Sequence, residues 1–111
     1  FYLLGWTPST TDAHDAMFAL MASPTDKGQG QFNLGAYSNA KFDELAAKVQ
    51  SETDLTKRNE AIREAFKIHQ DDIGHIPLHQ QALAWATRND VSLVQLPDNR
   101  MFFKWVRLAA K

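Results

Sequence analysis

The chain has 111 residues, 44% of them hydrophobic and 23% charged, with twelve basic residues against thirteen acidic ones for a net charge of −1. That length can bury one modest core. The scattered basic residues give no basic face of the kind nucleic acid requires, no apolar run reaches the roughly 18 residues of a membrane helix, and the lack of cysteine removes disulfide and thiol chemistry.

Residues 1–4 are apolar apart from one tyrosine hydroxyl and predict a buried strand. Pro8 and the run Ser9-Thr10-Thr11 cannot continue it, and Asp12 follows as a helix N-cap with Asp15 as a first-turn acid. A turn between a strand's carboxyl end and a helix N-terminus exposes amides and hydroxyls, and α/β proteins place ligands there. The helix predicted over residues 12–22 carries Ala16, Met17, Leu20 and Met21 at helical spacing, and Ser23-Pro24 stops it. A polar, glycine-bearing loop is expected over 25–36. Asn39 then caps a second helix with Phe42, Leu45, Ala46 and Val49 on one face, and Asp54 caps a third along Ile62, Ala65, Phe66, His69 and Ile73 until Gly74. The two longer helices should form an antiparallel pair. Beyond His75 the pattern changes to one that predicts strands over 76–87, 91–96 and 101–108, separated by turns at Arg88-Asn89-Asp90 and Pro97-Asp98-Asn99. Phe102, Phe103, Trp105 and Val106 make the last of these apolar on both faces, which predicts burial within a sheet. The fold class expected is α/β in the broad sense, a mixed α+β arrangement of helices and sheet strands.

Three kinds of enzyme chemistry fail on spacing. His75 and His79 straddle a proline and do not join His69 in the His-x-x-x-His geometry of a helical metal site. Ser9 at a strand-to-helix turn lacks the glycines of a nucleophile elbow. Gly28-Gln29-Gly30 has neither the third glycine of a dinucleotide loop nor the lysine of a P-loop. No cofactor is therefore expected. Histidine 69, on the apolar face of its helix, is expected to be a hydrogen-bonded, half-buried residue.

Several blocks stand in one order along the chain: Gly5-Trp6 before the polar turn and Asp12, Phe32-Asn33, Tyr37-Ser38-Asn39-Ala40-Lys41-Phe42-Asp43, Asp54-Leu55-Thr56-Lys57-Arg58, and Ile76-Pro77-Leu78. Together they resemble the family 5 solute-binding proteins of bacterial ABC importers, which bind peptides, nickel or glutathione. The resemblance implies that residues 1–111 are a C-terminal fragment of a two-lobed, periplasmic-binding-protein-like fold, one lobe portion plus the C-terminal strands, with no complete second domain. It implies a periplasmic, non-enzymatic protein that captures a small solute or short peptide in an interlobe cleft and delivers it to permease subunits. Carried over position by position, Trp6, Thr7, Pro8, Ser9 and Thr10 fall in the ligand shell. Ser9 stands where peptide binders of the family often have an acid, so that Trp6-Thr7-Pro8-Ser9-Thr10 looks more like the glutathione-binding branch and Asp12 is the nearest substitute acid. Two other classes remain as alternatives: a small hydrolase or metal-dependent enzyme using Asp12, His14 or Asp15, and an interaction module presenting the helices of residues 39–73.

Overall fold

A computed structural model describes residues 2–109, which divide after Pro77 into two compact units. In the first unit, helix α1 (Ala13–Ala16) continues into a π-helical turn (Met17–Met21), followed by a looped stretch, α2 (Ala40–Ser51) and α3 (Leu55–Asp71). All three predicted caps form. Asp12 accepts from the His14 amide, Asn39 from those of Lys41 and Phe42, and Asp54 from those of Thr56 and Lys57, each satisfying amides that a helix start leaves without partners.

The first helix is shorter and wider than predicted. The Ala22 amide reaches back five residues to the Met17 carbonyl at 2.9 Å, while the carbonyls of Phe18 and Ala19 accept from Gly30 and Phe32 of the returning loop at 2.8 and 3.0 Å. Those loop amides take acceptors that a regular α-helix would fill itself. Gly30 permits this closeness: its φ is +64°, and a Cβ there would lie 2.5 Å from the Ala22 carbonyl oxygen. Asn33, buried, fastens the same loop by donating to the carbonyls of Ala22 and Tyr37 and accepting from the Tyr37 amide.

Helices α2 and α3 are antiparallel, as predicted. The start of α2 meets the end of α3 through Tyr37 and Asn39, which both donate to Asp72, and the end of α2 meets the start of α3 where Arg58 Nε donates to the Val49 carbonyl at 3.0 Å. The predicted stripe Phe42, Leu45, Ala46 and Val49 is wholly buried and packs with Ala61 and Ala65 of α3 and with Met17 and Ala22. Two alanines on α3 let the helix axes approach closely. Ile62 and Phe66 pack at the edge of this core, but Ile73 leaves the predicted stripe and is 71% exposed.

Ile73 is displaced because α3 ends at Asp71, two residues earlier than its sequence pattern implies. The Gly74 amide bonds to the His69 carbonyl and the Ile73 amide to the Gln70 carbonyl, both at 3.0 Å, the pair of bonds that defines a Schellman motif. That motif needs a left-handed residue, and here Ile73 supplies it with φ of +53°. A β-branched side chain in this region carries strain of about 1–3 kcal/mol. Ile73→Gly is therefore expected to raise the unfolding free energy by about 1 kcal/mol in urea denaturation, after allowing for the extra entropy glycine brings to the unfolded chain.

Four strand predictions need correction. Residues 2–8 form no regular structure, and Leu3 is 81% exposed; Phe1 lies outside the described residues. No strand forms over 76–87. The predicted strands at 91–96 and 101–108 reduce to β1 (Val91–Ser92) and β2 (Arg107–Leu108), with a 3₁₀ turn (Phe103–Trp105) in the second segment. Strands β1 and β2 pair antiparallel in the register Val91 to Leu108 and Ser92 to Arg107. A two-stranded ribbon has no second layer against which to bury an apolar row. Phe102, Phe103 and Trp105 are accordingly exposed, Phe103 at 79%, and Lys104 lies 5.6 Å over the rings of Phe102 and Trp105. The turn at Arg88-Asn89-Asp90 forms as predicted, closed by the Val91 amide on the Arg88 carbonyl and by an Arg88–Asp90 ion pair. Helices and a small antiparallel sheet make the architecture α+β.

Candidate functional site

The stretch before α1 is a rigid polar turn, and the residue that makes it rigid is Asp15. Its Oδ2 accepts from the Ser9 amide at 2.6 Å, the Ser9 hydroxyl at 2.8 Å and the Thr10 amide at 3.2 Å. Three donors on one oxygen turn a first-turn acid, predicted to serve the helix dipole, into a clamp on the preceding turn. Thr10 adds a local bond by accepting from the Asp12 amide. Partial burial opposes ionisation of Asp15, but these donors and the nearby His14 outweigh it and hold the carboxyl below its ordinary value.

Asp12 has two tasks. Besides capping α1 it accepts from Arg58 Nη2 at 2.8 Å. The guanidinium, the His14 amide and the nearby charges of Arg58 and His14 hold its carboxyl below the ordinary value, overcoming a smaller effect of burial. Arg58 thus joins three helix ends: the start of α1, the end of α2 and the first turn of α3. Its charge at the carbonyl end of α2 is also favoured by that helix's dipole.

Around this junction lies an open recess of about 350 Å³, lined by Ser9, Thr10, Asp12, His14, Asp15, Gln50 and Arg58. Three of the six predicted ligand residues, Ser9, Thr10 and Asp12, come together there. The other three do not. Trp6 packs its ring on Phe32 at 5.2 Å, with its indole nitrogen buried and unpaired among the described residues, and Thr7 and Pro8 are exposed beside it. Gln50 and Arg58 escape a reading of the sequence, because Arg58 is 46 residues from Asp12 and looks like an ordinary basic residue in a first helical turn. The Ser9 O–H is spent on Asp15, so this side chain offers a ligand its lone pairs.

Chemically the recess can bind groups of both signs. Its carboxylates are held ionised, Arg58 is cationic, and Gln50 and the hydroxyls supply neutral donors and acceptors. Among the described residues no group of three metal-ligating side chains is assembled. His69 and His75 do meet, at 2.9 Å between Nε2 and Nδ1, but as a hydrogen-bonded pair; His69 is 3% exposed, more deeply buried than predicted.

The roles of Asp12 can be separated by two substitutions. Asp12→Asn keeps the cap and loses the ion pair, for an expected cost of at most about 1 kcal/mol. Asp12→Ala loses both and should cost about 1–2 kcal/mol in urea denaturation. Because the folded-state value of Asp12 lies below 3.8, the stabilisation is complete above that pH and is lost as the pH falls below it.

No family model, curated protein or solved structure matches the chain. No helix among the described residues is long and apolar enough to cross a membrane.

Proposed function

We propose that the chain is the C-terminal portion of a substrate-binding component of an ABC importer, of the family 5 type, that captures a peptide-like or glutathione-like solute in the cleft between two lobes. On this reading the protein works in the periplasm and hands its solute to the permease subunits. The observation that carries the proposal is the clamped turn of Ser9 and Thr10 beside Asp12 and Arg58, a preorganised edge with both charge signs, at the place where the sequence blocks of that family put the ligand shell. A zwitterionic solute suits such an edge: its ammonium can meet a carboxylate while its carboxylate meets a guanidinium or amide. The exposed apolar residues Leu3, Leu4, Phe103 and Leu108 also support it, since sheets completed by further chain would cover them.

A hydrolase using Asp12 or Asp15 fits the same geometry less well. A general base works best with a value near the operating pH, whereas the donors on one oxygen of each carboxyl push both down. The Ser9 hydroxyl donates to a carboxylate and not to an imidazole, which leaves it without an activating base.

Isolation of the full-length protein, followed by mass spectrometry of the solute that leaves with it on denaturation, tests the proposal. A zwitterionic peptide or glutathione-like molecule is expected, and calorimetry should then give the 111-residue chain an affinity in the millimolar range, since half a cleft forfeits about half of the roughly 8 kcal/mol of a micromolar complex. Equal affinities for chain and full-length protein, or multiple turnovers of the solute, would overturn it.

A further inference from the structure

Away from the recess, an unusual polar pair stands at the exit of α3, with His69 buried and His75 half-buried. His69 Nε2 and His75 Nδ1 lie 2.9 Å apart, the rings stack at 5.1 Å with 20° between their planes, and His75 Nε2 lies 2.8 Å from the Tyr2 hydroxyl. His69 closes the inner end of this chain of bonds, with Tyr37 edge-on at 4.6 Å and Phe42 at 5.4 Å. Its Nδ1 is buried with no partner among the described residues, and Gly74 is so near that a Cβ there would lie 2.7 Å from that nitrogen.

Only one arrangement of protons is inexpensive. If His69 Nε2–H donates to His75 Nδ1 and His75 Nε2–H donates to the Tyr2 oxygen, the one unmet group on the two rings is a lone pair on His69 Nδ1, and the half-buried Tyr2 O–H can turn to solvent. Running the bonds in the reverse direction would strand a buried N–H there, which is the costlier defect. A further proton has no good place. On His75 Nδ1 it faces the His69 N–H donor to donor; moved by a tautomer shift to His69 Nδ1 it is buried without an acceptor.

We propose that His69 and His75 form an acid-operated latch: at neutral pH their shared hydrogen bond holds residues 73–77 and Tyr2 against the helix pair, and uptake of one proton by the pair opens that turn. The turn carries a second tension, because Ile73 sits within it in the strained left-handed conformation held by the bonds of Ile73 to Gln70 and of Gly74 to His69, and an opening that extends to those bonds releases the strain. The groups facing the pair fix the direction of the response. Burial, and then the neighbouring His75, push His69 down from 6.5 to about 4, against an opposing pull from the Asp72 carboxylate, and burial lowers His75 as well. Tyr37, the other titratable ring in contact, is pushed up to about 12 by burial and by its bond to Asp72, and stays neutral throughout. Because the closed form binds fewer protons than the open one, the latch is fully closed above pH 6.5 and opens as the pH falls toward about 4.

The test is an NMR titration of the 111-residue chain from pH 7 to pH 4, following both imidazoles, the Tyr2 ring, the Ile73 methyls and the core methyls of Val49 and Leu45. The expected result is that the imidazole, Tyr2 and Ile73 signals move in one coupled step below pH 6.5 while those of Val49 and Leu45 stay in place. In His75→Gln, the Tyr2 and Ile73 step should vanish. Independent titration of the two histidines near 6.5, loss of the Val49 and Leu45 signals in the same step, or persistence of the step in His75→Gln would overturn the proposal. Should His75→Gln fail to fold, Tyr2→Phe decides: the histidine pair remains, so the Ile73 step must persist, and its disappearance would refute the latch.

Discussion

Phe42→Ala is expected to cost about 3–5 kcal/mol, the usual loss when a buried aromatic ring is truncated in a core that cannot collapse around the cavity. Phe42 is fully buried and stands where three packing partners converge: the Leu45, Ala46 and Val49 stripe of its own helix, the Ala61 and Ala65 face of α3, and the rings of Tyr37 and His69. A loss of that size approaches the whole stability of a small domain. Urea denaturation followed by far-ultraviolet circular dichroism should therefore show the variant largely unfolded in buffer. Phe42→Leu, which keeps most of the volume, should cost only about 1.5 kcal/mol. In Phe42→Leu, His69 should titrate higher than about 4, because it loses part of the apolar wall that disfavours its charge.

The second large effect is expected at Gly74, for a reason unrelated to backbone freedom. Glycine 74 does not have a positive φ, so replacing it with alanine would by itself stabilise the chain by about 0.4–1 kcal/mol through the unfolded state. Against this stands a Cβ 2.4 Å from His69 Cε1, 2.7 Å from Nδ1 and 2.9 Å from Nε2. The ring cannot give way without breaking its bond to His75 and leaving Tyr37 and Phe42. Overpacking of this kind costs about 1–3 kcal/mol, so the clash should win and Gly74→Ala should lower stability by about 1–2 kcal/mol. A double-mutant cycle checks the cause: in a His69→Ala background the same substitution should be neutral or mildly stabilising, a coupling of at least about 1 kcal/mol.

What the sequence determined by itself is the local grammar of residues 12–74. Asp12, Asn39 and Asp54 cap helices because each side chain reaches amides two or three residues away, and Phe42, Leu45, Ala46 and Val49 share a face because 3.6 residues make a turn. Ser23-Pro24 ends the first helix for reasons equally local. The roles of Asp15, Arg58 and His69 were decided only by tertiary structure. Nothing near Asp15 in sequence says that a first-turn acid will fold back on Ser9; Arg58 acquires its partner across 46 residues through helix packing, and His75 meets His69 through the reversal of the chain after α3. Gly74 and Ile73 show the same division within two residues. The sequence places a glycine at the helix end, where the left-handed position is expected, yet the structure gives that conformation to Ile73 and keeps Gly74 small for the His69 ring. The segments after Pro77 were the least legible, since a strand's existence depends on a neighbour to accept its hydrogen bonds and a second layer to cover its face. Neither is encoded in the alternation of Val91, Phe102 or Trp105, and among the described residues only Val91–Ser92 and Arg107–Leu108 find a partner strand.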